Sequence, residues 1–87
     1  MSQIETASAI ASQRVVTAAG LLENRADLRG YPHRYLAIHS YTLLRGEGVR
    51  VLLAATELLE QYGWSLVNMM QVDKNLYAVM RQPRQGS

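Results

Sequence analysis

Along residues 4–22 the apolar positions Ile4, Ala7, Ala11, Val15, Ala18 and Leu22 are spaced three or four apart. That spacing places them on one face of a helix. Ser2, with Glu5 three residues on, has the spacing of an N-terminal capping box. Gly20 weakens such a helix by about 1 kcal/mol relative to alanine. The stretch "RGYPHR" (29–34) ends it, because Gly30 accepts a left-handed stop and Pro32 holds Tyr31 out of helical angles.

The pattern then changes period. "YLAIHSYTLL" (35–44) is rich in β-branched and aromatic residues, and neither alternating face is clearly polar, so a strand covered on both sides is expected. After the turn "RGEG" (45–48), Val51, Leu52, Ala55, Leu58, Leu59 and Tyr62 line one broad helical face over 49–62. Gly63 falls where a helix-terminating residue with positive φ belongs. "WSLVNMM" (64–70) follows as a strand, "QVDKN" (71–75) as a hairpin turn and "LYAVMR" (76–81) as the returning strand.

The expected fold is α+β. An N-terminal amphipathic helical arm (1–30) precedes a β-α-β-β domain (34–83) and a disordered tail (84–87). The domain is a three-stranded sheet with its last strand central, antiparallel to both neighbours, and a right-handed crossover through the helix. One helix covers only one face of such a sheet. The other face, still apolar, must meet the N-terminal helix, another subunit, or both.

At "LLEQYGWSLVNMM…LYAVMRQP" the chain resembles a bacterial family of short proteins classed only as a domain of unknown function. That family has a tyrosine-containing first strand, a Leu-rich helix, a Gly-Trp-Glu-Leu-Val signature and a strand ending in a basic residue before proline. Gly63, Trp64, Leu66, Val67 and Arg81 match it. Ser65 stands where the family has Glu, and Tyr62 where an acidic residue often precedes the Gly. The resemblance spans roughly residues 35–83, implies the β-α-β-β order and carries no activity.

Composition sharpens the question of what covers the second face. A chain of 87 residues buries only about 60–65% of its unfolded surface, yet 48% of this one is apolar and it contains no cysteine. Burial between subunits is the remaining source of stability, so a homodimer is expected. Ile4, Ala11, Val15, Leu22, Met69 and Met80 are the candidate interface residues. The net charge of +2 is too small to demand nucleic acid. No run approaches the ~20 apolar residues of a membrane span, and no basic segment opens a signal peptide. A cytoplasmic protein is expected.

Candidate chemistry is thin. Gly46 and Gly48 form G-x-G, but Val51 occupies the third position of a dinucleotide fingerprint, so a plain strand-to-helix turn is expected, with Glu47 near the helix's positive end. His33 and His39 are the only imidazoles, too few ligands for zinc. His39 reads as a packed, hydrogen-bonded residue and His33 as a solvated one. Trp64 reads as filling the corner between helix and sheet. Arg25, Arg29, Arg34, Arg45 and Arg50 face only Asp27 and Glu47 over residues 25–50, a local excess able to touch phosphates or an acidic partner. No nucleophile–base pair, cofactor motif or metal site is apparent. The expected function is a small homodimeric binding or regulatory module without catalysis, open to a protein partner. The alternative is a nucleic-acid-binding accessory protein using the arginines.

Overall fold

The computed structural model describes residues 4–41 and 47–83. The strand end and turn expected at 42–46, the Ser2 cap and the tail 84–87 lie outside them. The elements are α1 (Ala7–Gln13), β1 (Val15–Thr17), α2 (Ala18–Leu22), β2 (Tyr35–Tyr41), α3 (Glu47–Glu60), β3 (Ser65–Val72) and β4 (Asn75–Arg81). They form one four-stranded sheet of order β1-β2-β4-β3.

The last strand is central and antiparallel to both β2 and β3, as its pattern predicts. The sheet has four strands rather than three, because the single helix expected over the first segment does not form. Val15, Val16 and Thr17 are three consecutive β-branched residues, which favour a pleated strand over a helix interior. They pair parallel with Ala37, Ile38 and His39. Arg14 breaks the helix in the left-handed region at φ 59°, its N–H donating to the Ile10 carbonyl.

Two threonines start the two short helices. Thr6 Oγ1 accepts from the Ala9 N–H at 3.2 Å, and Thr17 Oγ1 from the Gly20 N–H at 3.0 Å. Gly20 is therefore a buried residue of the first turn of α2 and not a bend in a long helix. Asn24, at φ 61°, ends α2: its N–H donates to Leu21 and that of Arg25 to Gly20. The end of α3 has the same geometry with glycine in place of asparagine. Gly63 has φ 94°, its N–H donates to Glu60, and the Trp64 N–H donates to Leu59. This is the Schellman arrangement, and Leu59 and Trp64 supply its hydrophobic contact inside the core.

Alternation along the two central strands puts Leu36, Ile38, Leu76, Ala78 and Met80 on one face with Val16, all buried. Leu52, Ala55 and Leu59 of α3, with Ile10, Ala18 and Leu21 from the N-terminal segment, close over them. Residues 4–28 thus supply an edge strand and part of the covering layer; the segment does not lie across the opposite face.

Just past the end of β4, Gln82 ties that strand to the joint at 31–34. Its Nε2 donates to the carbonyls of Tyr31 (3.1 Å) and His33 (2.7 Å). Tyr31 is buried, its hydroxyl donating to the Tyr35 carbonyl at 2.8 Å. Desolvation raises its phenol above the ordinary value of 10.0, and Arg14 opposes that rise.

Two outcomes test this description. Gly63→Ala forces a side chain into the left-handed region and sets its Cβ 3.4 Å from Pro83 Cγ. It should lower stability by about 1–2 kcal/mol, read as the midpoint of urea unfolding. Tyr31 contributes stability that is complete below pH 10, where folded and unfolded phenols are both protonated, and lost as pH rises through the elevated folded value. Tyr31→Phe should cost about 1 kcal/mol at neutral pH and show a shallower decline in melting temperature above pH 10 than the wild type.

Candidate functional site: an open sheet face

Among the described residues, no helix or strand covers the side of the sheet away from the helices. In rows across the strands it reads Tyr35–Arg81–Ser65, then Val15–Ala37–Val79–Asn68, then His39–Tyr77–Met70 with Thr17 at the edge, then Tyr41–Asn75–Val72. A bulge between Leu66 and Asn68 places the extra residue Val67 beside Asn68. The two middle rows are mostly apolar or aromatic, and the polar groups gather at the ends. Tyr35, Tyr41, Val67, Met70 and Val72 are between 43% and 56% exposed. Arg81 is the one charged side chain in these rows.

At the centre, cross-strand pairing assembles a ring cluster. His39 stands edge-on to Tyr41 with centroids 4.5 Å apart and lies 5.2 Å from Tyr77. His39 Nε2 is 2.8 Å from Asn75 Oδ1; the amide oxygen can only accept, so this nitrogen carries the proton. The expected packed, hydrogen-bonded histidine is present, half-buried on the open face. No group of three or more His, Cys, Asp or Glu able to hold a metal occurs among the described residues. His33 is half-buried, edge-on to Tyr31 at 5.6 Å.

Three of the five candidate arginines are held by nearby acids. Arg25 pairs with Glu23 at 2.7 Å and Arg29 with Asp27 at 3.0 Å, while Arg50 lies 4.0 Å from Glu47 in the first turn of α3. Arg34 is exposed just before β2, and Arg45 lies outside the described residues. The Arg29 pair is forked, Nε to Oδ1 and Nη2 to Oδ2, and it holds the Asp27 carboxyl below its ordinary pKa, chiefly through the side-chain hydrogen bond. Each pairing joins residues two or three apart, so much of the excess charge read from the sequence is compensated locally.

The candidate interface residues scatter. Val15 belongs to the open face, Ile4 is 64% exposed near the start of the described chain, and Ala11 and Met69 pack against the core. Leu22 lines a cavity on the helical side. Met80 is fully buried under the helices and has no surface to offer a partner. The residues that make up the open face were missed as a set, although alternation within β2 and β4 predicts them once one face is known to be covered.

That cavity, of about 540 Å³, lies between α2, the loop 23–29 and the end of α3. Leu21, Leu22, Leu58, Leu59, Tyr62 and Trp64 form its apolar walls. Trp64 is buried between helix end and sheet, 5.9 Å from the Tyr31 ring, in the corner expected of it.

No helix among the described residues is long and apolar enough to cross a membrane. No known protein family, curated protein or solved structure matches the chain.

Proposed function

We propose that the protein is a homodimeric binding module with no chemistry of its own, assembled by packing the open sheet faces of two copies. The observation that carries this reading is an apolar, aromatic face with polar ends and a single charge on a chain with little core to spare. Three strands of about seven residues and the three-residue β1, about 4.8 Å apart with about 3.3 Å per residue, span roughly 380 Å². That lies within the ~300–600 Å² of the largest apolar patch on a typical monomer, a size at which such patches are often functional. Two such faces make roughly 760 Å² as flat areas, and protruding rings and rim contacts raise that toward the ~1,200 Å² at the lower end of stable interfaces. A face whose one charge, Arg81, stands in an end row leaves its apolar middle free of like-charge repulsion when related to itself by a two-fold axis, and that apolar middle with polar ends follows interface anatomy.

The second reading is single-stranded nucleic acid stacking on Tyr35, Tyr41, His39 and Tyr77, since exposed rings on a four-stranded sheet are a known base platform. Charge weighs against it. Such platforms track phosphates with basic grooves, and here Arg81 is alone on the face while three other arginines are paired to acids elsewhere.

Light scattering after size exclusion at about 10 μM should give twice the 9.7 kDa chain mass. Val79→Glu, which buries a charge at the centre of the contact, should give a monomer with unchanged far-ultraviolet circular dichroism. A monomeric wild type that unfolds sharply and reversibly would sink the proposal. Salt-dependent retention on single-stranded DNA, lost on charge reversal of Arg81 or on Tyr77→Ala, would favour the second reading.

A further inference from the structure

The geometry points to a second recognition site, independent of the dimer: the cavity on the helical side takes a small, uncharged, largely apolar molecule with an aromatic ring. Its volume of about 540 Å³ falls within the range of pockets that enclose drug-sized ligands.

The cavity is held open from behind. The loop carrying Ala26 and Leu28 does not collapse onto α3, because backbone hydrogen bonds that use none of the lining side chains fix it elsewhere. The Glu5 N–H donates to the Arg25 carbonyl at 2.7 Å, and the Asp27 N–H donates to the Glu5 carbonyl at 2.8 Å. Arg25 N–H donates to Gly20 at 2.8 Å, and Tyr31 N–H to Leu28 at 3.0 Å. Asp27 Oδ1 also accepts the backbone N–H of Arg29, so the mouth is fixed as well. A wall anchored in this way leaves apolar side chains without partner atoms on one side, and a ligand restores those dispersion contacts.

The lining sets the ligand's chemistry. Leucines form the sides, and the rings of Tyr62 and Trp64 offer flat or edge contacts to another ring. The only ionised groups in the lining, Asp27 and Arg29, neutralise each other in the forked pair, so the site offers no net charge to an ion. The second copy is a poor occupant, because the proposed contact face is on the other side of the sheet.

Trp64 is the only tryptophan of the chain, so energy transfer has a single donor, set in the wall of the cavity, and the variants below decide where the probe sits. The test is titration with N-phenyl-1-naphthylamine, a neutral two-ring scaffold, followed by energy transfer from Trp64. Its analogue 8-anilino-1-naphthalenesulfonate carries the same rings with a negative charge. The neutral probe should bind at micromolar concentration, at least tenfold more tightly than the sulfonate. Ala26→Phe, which fills the cavity, and Leu22→Glu, which charges its exposed edge, should each weaken the neutral probe at least tenfold. Val79→Glu, on the opposite face, should change it less than twofold whether or not that variant dimerises. Absence of energy transfer up to 100 μM probe would overturn the inference. So would tighter binding of the sulfonate, or loss of binding in Val79→Glu with Leu22→Glu unaffected. Should Ala26→Phe fail to fold by circular dichroism, Leu22→Glu, at a position already 42% exposed, carries the test.

Discussion

The pairing of β2 with β4 organises the molecule. From Tyr35 opposite Arg81 to Tyr41 opposite Asn75, seven uninterrupted positions set two faces of unlike fate. On one, Leu36, Ile38, Ala78 and Met80 have essentially no exposure; on the other, Tyr35, Ala37, His39, Tyr77 and Val79 remain open or half-covered. A slip of one residue would exchange these sets, sending the His39 ring cluster beneath α3 and the fully buried Ile38 and Met80 into water. Register is therefore specified strongly, although neither face is polar, because only one of them complements the helical layer in shape.

The legible parts of the fold are those where one residue type has one physical use. Gly63 after a Leu-rich helix could hardly be anything but a left-handed stop, and Trp64 behind it was bound to fill the corner. The central position of β4 followed from the hairpin and the crossover. The N-terminal segment was misjudged because alanines at helical spacing outweighed the run Val15-Val16-Thr17. Three β-branched residues suffice for an edge strand only when a partner such as Ala37–His39 is at hand, and that contact is remote in sequence. Asn24 was similarly opaque: it ends α2 as glycine ends α3, through a conformation that asparagine adopts at modest cost.

Site legibility follows the same division. His39 with a hydrogen-bonded partner was foreseeable; that the partner would be Asn75, thirty-six residues on, was not. The arginines looked like a cluster because sequence distance was read as spatial distance. In the fold, Glu23, Asp27 and Glu47 each sit beside the arginine that follows by two or three positions. The cavity had no signature at all, since its loop wall depends on a bridge between Glu5 and Ala26.

The order β1-β2-β4-β3 also has a bearing on how the chain reaches this state. The strand in the middle is the last to be synthesised, so β2 has only the three-residue β1 beside it until residues 75–81 have left the ribosome. The β3–β4 hairpin, closed across Asp73 and Lys74, is the local unit that can form quickly. Its docking onto β2 then spans the whole of α3. Until then the "YLAIHSY" strand carries an open edge, the feature through which strands pair with other chains.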